Sequence, residues 1–196
     1  MRRFKINFNQ RLLVAVLVAV LVAVLTYVIL HYKITIEDFQ TQKIKYNKQD
    51  FTVATINPVE SAQTIDTILK RINRLIDILN ANHFTNTPIK HWNSSKIVEN
   101  LAESGNTSYT INKGQTMALC LRDQNTNKIH DINTLMFVAI HELAHNVNPS
   151  VGHDQQFWNT MAMILKIADQ NHLYTIVDYS KNPTQYCGMT IDNTPV

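Results

Sequence analysis

Cysteine is scarce in this chain of 196 residues, which contains only Cys120 and Cys187. Two cysteines permit one disulfide at most, so a fold held together by several crosslinks is excluded. The sequence leaves two alternatives open for this pair. The cysteines form a single disulfide, or they are two separate buried thiols.

Basic residues are scarce beyond the N-terminal end. After residue 31 the chain has 14 basic and 15 acidic residues, a net charge of −1, although the whole chain carries +3. A surface that follows nucleic-acid phosphates needs a concentration of positive charge. The charge distribution therefore argues against nucleic acid as a partner.

Charge is absent from Leu12 to Leu30, a run of 19 residues in which Thr26 is the only clearly polar member. As a helix that rises ~1.5 Å per residue, the run is long enough for the ~30 Å hydrocarbon core of a bilayer. The alternative is a cleaved signal peptide, which has a shorter apolar region ending in small residues. This run ends without that pattern, and we predict a transmembrane helix over 12–30.

The charges beside this run predict its orientation. Four basic residues lie in the short N-terminal segment 1–11, and only Lys33 follows the run closely. By the positive-inside rule, the N-terminus is cytoplasmic and the remainder lies on the opposite side of the membrane. Residues 31–50 are polar and predict a stalk, or a short helical extension of the anchor. Residues 51–196 are then one globular domain.

Strand and helix patterns alternate in this domain, which predicts an α+β fold with a small antiparallel sheet packed on helices. The β-branched run 51–56 predicts a short strand. Asn57 as N-cap, Pro58 in the first turn and Glu60 in a capping box predict that a helix starts there. Apolar residues at helical spacing over 65–79 predict a core helix that backs the sheet.

The second half of the domain predicts a hairpin and two long helices. The β-rich runs 109–111 and 116–122, on either side of a turn, indicate the antiparallel hairpin, and its second run is a candidate edge for binding an extended substrate. The remaining elements are a short helix over 95–103, a helix that begins near Asp131 or Asn133, a helix from Asp154 to about 171, a strand over 173–177 and a loop over 178–196.

His141, Glu142 and His145 form the pattern His-Glu-x-x-His within a largely apolar stretch. Residues four apart lie on one face of an α-helix, so the two imidazoles point the same way and can share one metal ion. Zinc suits imidazole nitrogen, and a catalytic zinc has three protein ligands and one open position for water. Glu142 lies beside the first ligand, where it can take a proton from that water.

A third ligand is expected where the helix ends. Segment 148–152 contains Asn-Pro and Gly, which break helices, and His153 follows directly. We predict a Zn²⁺ site formed by His141, His145 and His153, with Glu142 as the catalytic base. The alternative is that the helix histidines are bonded to carbonyl groups of the core and that Glu142 is a surface residue.

Three pieces of the sequence, in this order, carry a family resemblance. They are Leu119-Cys120-Leu121-Arg122, His141-Glu142-Leu143-Ala144-His145-Asn146 and Gly152-His153-Asp154-Gln155-Gln156-Phe157. They resemble the WLM family of zinc metalloproteases, relatives of the SprT-like proteases, and the resemblance covers residues 117–169. It implies a compact gluzincin-like peptidase fold with the three histidines on zinc and Glu142 as general base.

This resemblance indicates a membrane-anchored zinc peptidase that acts on a protein or peptide. The well-known family members act on proteins crosslinked to DNA, a substrate that does not carry over to a chain with an anchor and a slightly acidic body. The alternative is a membrane-anchored structural protein, for example of a virion, that keeps the fold without catalysis. The composition and the anchor also resemble proteins of large DNA viruses.

Other residues are candidates for supporting roles in catalysis. Stabilising an oxyanion requires a donor besides the metal, and four residues downstream of the motif are candidates. Metal-bound histidines are usually oriented by carboxylates, for which we name two candidates. The donor candidates are His172, Tyr174, Tyr179 and Tyr186, and the carboxylate candidates are Asp154 and Asp178.

Overall fold

The structure is a computed structural model that describes residues 8–38, 41–101, 107–112, 114–150 and 152–196. It comprises two compact units, Met1–Gln40 and Thr41–Val196. The first unit contains helix α1, Phe8–Asp38. Within α1, Leu12–Leu30 is long and apolar enough to cross a membrane, and a signal sequence near the N-terminus has the same properties.

The second unit contains one five-stranded sheet, three helices and a separate hairpin. The helices are α2 (Pro58–Ala81), α3 (Ile132–Val147) and α4 (Gln155–Gln170). The sheet strands are β1 (Thr41–Tyr46), β2 (Gln49–Ala54), β3 (Ile97–Glu99), β4 (Tyr109–Ile111) and β5 (Thr116–Leu119), and the hairpin is β6 (Thr184–Tyr186) with β7 (Met189–Ile191). The strand order in the sheet is β1-β2-β3-β5-β4.

The sheet is mixed, and the prediction of a small antiparallel sheet is wrong for its centre. Strands β1 and β2 pair antiparallel, as do β4 and β5, but β3 is parallel to both of its neighbours. A parallel pair needs a crossover connection, which α2 supplies between β2 and β3. The sequence analysis missed it because 97–99, the strand β3, falls within the short helix predicted over 95–103.

Thr41–Asp50, assigned from sequence to a stalk, instead forms β1 and the start of β2 in the second unit. Strand β1 lies at the edge of the sheet, and its residues alternate between exposed and half-buried. Polar, charged side chains are typical of an edge strand because they discourage pairing with other chains. The same composition is typical of a stalk, so the sequence alone did not distinguish the two.

The start of α2 also differs from the prediction. Asn57 is left-handed (φ 45°, ψ 54°) and makes no side-chain cap, whereas Pro58 occupies the first turn as expected. The Glu60 carboxylate accepts a hydrogen bond from Arg122 at 3.2 Å instead of completing a capping box. Beyond the cap, the predicted apolar stripe over 65–79 is buried, and it packs α2 against the sheet and α3.

Arg122 is a buried cation that connects the end of β5 to the start of α2. Its side chain is 8% exposed and lies 3.4 Å from the Glu99 carboxylate, which is 1% exposed. The guanidinium also donates to Glu60, to the Ser61 hydroxyl and to the Asn57 carbonyl. Buried charges persist only where they are paired and hydrogen-bonded, so Arg122, the last residue of the Leu-x-Leu-Arg piece, stabilises this part of the fold.

The C-terminal region forms a crosslinked hairpin where the sequence analysis predicted a loop. Of the two alternatives for the cysteines, the structure has the disulfide, Cys120–Cys187. It joins the residue after β5 to the turn of the β6–β7 hairpin, in which Gly188 has a positive φ of 82°. The strand predicted over 173–177 is not formed.

Candidate metal centre and cleft

Helix α3 positions three of the four predicted site residues. Its N-terminus is capped by Asp131, whose carboxylate accepts hydrogen bonds from the backbone N–H groups of Asn133 and Thr134 at 2.9 and 3.0 Å. The helix ends at Val147, where Asn148 becomes extended before a proline. Because the residue before a proline avoids the helical region, the helix stops two residues after the motif.

The fourth residue, His153, lies between a turn and the cap of α4. Gly152 lies in the segment between α3 and α4 and has a φ of +91°, a conformation that other residues rarely adopt. Asp154 then caps α4, and its carboxylate accepts the N–H of Phe157 at 2.8 Å. Rigid elements therefore hold both sides of the cluster.

The three predicted ligands converge on one point. The Nε2 atoms of His141 and His145 are 3.1 Å apart, those of His145 and His153 are 3.0 Å apart, and those of His153 and His141 are 2.9 Å apart. Such a cluster has the composition and closeness needed to hold a metal ion.

A zinc ion fits this donor set. Three nitrogens bound by one tetrahedral zinc at about 2.0–2.1 Å would lie roughly 3.3–3.4 Å apart, within a few tenths of an ångström of the observed distances. Hydrogen bonds among the rings do not account for the cluster, because an Nε2–H points at one neighbour at a time. One cation, by contrast, accepts the lone pairs of all three nitrogens.

Aromatic side chains of α4 pack the three imidazoles in place. The Phe157 ring is fully buried and stacks on His145 with the centroids 4.3 Å apart, and its centroid is 4.9 Å from that of His141 and 4.8 Å from that of His153. Trp158 stacks on His153 at 5.4 Å. Phe157, the last residue of the family-like pattern, thus contacts every ring of the cluster.

Burial favours the neutral, metal-binding form of the helix histidines. Burial, and then the neighbouring rings of His145 and His153, lower the pKa of His141 to about 3. Burial also lowers the pKa of His145. Since a metal binds neutral imidazole, these shifts reduce the competition from protons.

Glu142 is a buried carboxylate beside the cluster, not a surface residue. It is 4% exposed, and burial raises its pKa to about 7. Its Oε2 atom accepts a hydrogen bond of 2.8 Å from the Thr110 hydroxyl, which favours the ionised form. A carboxyl group whose pKa lies near neutrality is suited to proton transfer.

Thr110 is a residue that the sequence analysis missed. It lies in β4, at the edge of the sheet, 32 residues before Glu142 in the chain. The predicted hairpin is present, but its outer strand is β4 and not the second strand, β5. No local sequence signal links Thr110 to the motif, because only the sheet order brings the strand beside α3.

Two cavities open onto the cluster from different sides. One of about 330 Å³ lies along β4 and is lined by residues of that strand, of the turn before α4 and of the cluster. The other, of about 570 Å³, lies between α3, α4 and the C-terminal residues. His141, Glu142 and His153 line both, so the candidate centre has a cleft on each side.

Of the four candidate oxyanion donors, Tyr186 is the one that lines a cavity at the candidate centre. Tyr186 lines the larger cavity, but its hydroxyl donates to the Cys120 carbonyl at 2.8 Å and is 2.7 Å from the Ser108 hydroxyl. Tyr174 and Tyr179 are buried against Phe137 and line neither cavity. His172 lies beyond α4 and is also absent from both linings.

The two carboxylates expected to orient the histidines have other partners. Asp154 caps α4, and Asp178 accepts from the Ser180 hydroxyl and pairs with Lys181 at 2.7 Å. The prediction for both is wrong. In the described part of the chain, the ring contacts of Phe157 and Trp158 position the imidazoles.

Comparisons with known proteins agree with the resemblance. The model of the WLM domain family matches residues 51–188. Protein R325 of Acanthamoeba polyphaga mimivirus is 38% identical over 144 residues, which are 69% of this chain and 73% of that protein. Protein 136R of Invertebrate iridescent virus 6 is 31% identical over 144 residues, 68% of this chain and 80% of its own length. Protein 042R of Invertebrate iridescent virus 3 is 44% identical over 66 residues, 34% of this chain and 38% of its own length.

A likeness to a solved structure is weaker. The crystal structure of Wss1 from Saccharomyces cerevisiae matches this chain with a TM-score of 0.47 and 20% sequence identity. The match covers 61% of this chain and 88% of the Wss1 chain. Membership therefore rests on the family match, which extends over more than half of the chain, and on the viral relatives. This chain is similar to proteins of large DNA viruses, and it belongs to the WLM family, which is of metalloprotease type.

Proposed function

We propose that the protein is a zinc-dependent peptidase that hydrolyses peptide bonds in a protein or peptide. The observation that carries this proposal is the convergence of three Nε2 atoms within 3.1 Å, beside a buried carboxylate that lines the same two cavities. This combination is the one a metal-assisted hydrolysis needs. It occurs in a family of metalloprotease type.

His141, His145 and His153 are the proposed ligands, since an all-imidazole donor set suits zinc better than magnesium or calcium. Zinc at this site would polarise the scissile carbonyl and make water a better nucleophile at neutral pH. Glu142 takes a proton from the attacking water and passes it to the leaving amine. Thr110 orients the Glu142 carboxylate through its hydrogen bond.

Strand β4 is the proposed binding edge for the substrate main chain. It pairs with β5 on one side only, and it lines the smaller cavity beside the cluster. An extended peptide can add to such an edge by backbone hydrogen bonds, a mode that depends little on the side chains of the substrate. This places the bound chain next to Glu142.

The alternative is a membrane-anchored structural protein that has kept the fold without catalysis. The burial of Glu142 argues against it, because a buried carboxylate without a cationic partner is costly to stability. Its carboxylate accepts a hydrogen bond from the neutral Thr110 hydroxyl, and its pKa is raised by burial. A structural protein gains nothing from that cost, whereas a catalytic base requires it.

The test is hydrolysis of a fluorescently labelled unfolded protein by the full chain in detergent, with zinc supplied. Wild type should cleave the substrate, and Glu142→Gln should retain the metal but lose at least about 99% of the activity. The matched control is His91→Gln, which removes an exposed histidine that pairs with Asp77 and lies outside the cluster. Equal activity of wild type and Glu142→Gln would refute the proposed role.

We further propose that Leu12–Leu30 anchors the enzyme in a membrane, with 1–11 cytoplasmic and the second unit on the opposite side. The length and hydropathy of this segment support it, as does the excess of basic residues before it. The protein should resist extraction from membranes by alkaline carbonate. Sealed vesicles whose cytoplasmic face points outward should protect the second unit from added protease. Release by carbonate at the mass of a shortened chain would indicate a cleaved signal sequence instead.

A further inference from the structure

The larger cavity beside the candidate centre has a wall that the catalytic motif does not provide. It is lined on one side by residues of α3 and α4 and on the other by residues 189–193 and Pro195. The family match ends at residue 188. This wall therefore lies beyond the part of the chain that the family model describes.

The cavity is lined by a group of apolar side chains together with polar residues, about half of which are exposed. Its volume of about 570 Å³ is within the range of pockets that enclose a ligand group. Among the described residues that line it there is no lysine or arginine, and the carboxylates are those of Glu142 and Asp192. The apolar lining is formed by Phe137, Val138, Trp158, Met189, Ile191 and Pro195.

The C-terminal wall is held firmly at both of its ends. At the first end, the Cys120–Cys187 disulfide and the Tyr186 hydroxyl, which donates to the Cys120 carbonyl, attach the hairpin to the end of β5. At the other end, the Thr194 hydroxyl donates to the Val177 carbonyl at 2.7 Å and accepts the N–H of Tyr179 at 3.1 Å. Ile191, between these attachments, is 8% exposed.

We propose that this cavity is the specificity pocket of the peptidase, and that it selects a large apolar side chain next to the scissile bond. The inference rests on the proposed function, because the pocket opens onto His141, Glu142 and His153. A side chain in the pocket exchanges water for contacts with Trp158 and Ile191. With no lysine or arginine in the lining, nothing there pairs with an acidic side chain, and Asp192 repels it.

The expected binding preference follows from the free energy gained when a large apolar side chain is buried. A phenylalanine or leucine that is removed from water in such a pocket should bind at least about tenfold more tightly than an alanine at the same position. A glutamate should bind no better than alanine, because its charge would be desolvated without a partner.

Trp158 supplies a readout of binding that does not depend on catalysis. The chain has two tryptophans, and the other one, Trp92, is 4% exposed in the core. The experiment uses the full chain in detergent with zinc supplied and with Glu142→Gln, so that bound peptide is not consumed. Acetylated pentapeptides of alanine with a central phenylalanine, leucine, lysine, glutamate or alanine are titrated while tryptophan emission is recorded.

The phenylalanine and leucine peptides should change the emission with dissociation constants at least about tenfold below that of the alanine peptide. Asn159→Phe fills the pocket from an exposed position on α4 and should reduce this preference to less than about threefold. Gln156→Phe, another exposed position on α4, does not line this pocket and is the matched control. Equal binding of the phenylalanine and alanine peptides, or tightest binding of the lysine or glutamate peptide, would overturn the proposal.

Hydrolysis of the same peptides by wild type separates the two proposals. Cleavage next to phenylalanine and leucine, with binding that follows the same order, supports both. Cleavage of all five peptides at equal rates would refute the proposed specificity pocket but not the proposed peptidase activity. Selective binding without cleavage of any peptide or protein would refute the proposed peptidase activity, and the pocket would then be a binding site for apolar side chains.

Discussion

Breaking the Cys120–Cys187 disulfide should destabilise the second unit by an amount that depends on the number of residues between the two cysteines. The crosslink joins residues 67 positions apart. In the loop-closure account, a crosslink of that span removes enough conformational entropy from the unfolded chain to stabilise the fold by about 4 kcal/mol. With a urea dependence of about 2 kcal/mol per molar, the unfolding midpoint should fall by roughly 2 M.

The assay is urea unfolding of the full chain in detergent, followed by tryptophan emission. Trp92 and Trp158 both lie in the second unit, so the signal reports on that unit and not on α1. Wild type is compared with the same protein under a reductant and with the double variant Cys120→Ala/Cys187→Ala. Alanine is chosen because both cysteines are 2% exposed and a serine would bury a hydroxyl.

Two controls make the result decisive. The reductant should not alter the double variant, and thiol titration of unfolded, unreduced wild type should find no free thiol. A midpoint within about 0.3 M of wild type for both the reduced protein and the double variant would refute the reasoning. Two titratable thiols in the unfolded, unreduced wild type would show that the cysteines do not pair.

Three further predictions follow from contacts at the site and in the core. Arg122→Met leaves the Glu99 carboxylate buried without its cation and should lower the unfolding free energy by about 3–5 kcal/mol in a urea titration, and adding Glu99→Gln should recover part of it. An unchanged midpoint would contradict the pairing. In Glu142→Gln with the metal removed by a chelator, folded His141, whose pKa is near 3, cannot take the proton that the unfolded chain binds near pH 6.5, so stability should fall by about 2 kcal/mol from pH 7 to pH 5. Wild type should show a smaller fall, because buried Glu142, whose pKa is about 7, takes up a proton over the same range. A flat profile of Glu142→Gln would show that His141 is not buried. Thr110→Val removes the hydrogen bond that favours ionised Glu142, so the acid limb of the rate profile should move to higher pH by up to about one pH unit, while Thr110→Ser restores it. An unmoved limb would exclude this contact from catalysis.

The arrangement of the histidines could be predicted because local rules determine most of it. The i, i+4 spacing puts His141 and His145 on one face of α3, and the Asn-Pro and Gly breakers end the helix before His153. Asp154 caps α4 as expected. These are short-range relations, and they hold whatever the rest of the fold does.

Other features depended on long-range relations that one sequence does not display. Strand β3 has only three residues, too few to show a period of two, and its parallel pairing needs the crossover through α2. The approach of Thr110 to Glu142 follows from the sheet order, and the pairing of cysteines 67 residues apart follows from the packing of the β6–β7 hairpin beside the end of β5. Polar β1 has the composition of a stalk, and only its pairing with β2 shows it to be a strand.

The most direct test of the central claim is the metal content of the purified full chain, measured by elemental analysis for wild type and His153→Ala. About one zinc per chain in wild type and a large loss in the variant are the expected results, because one Nε2 atom of three is then removed. His91→Gln should keep the full content. Folded wild type that binds no zinc when zinc is supplied, or His153→Ala that binds it as tightly as wild type, would contradict the three-histidine centre.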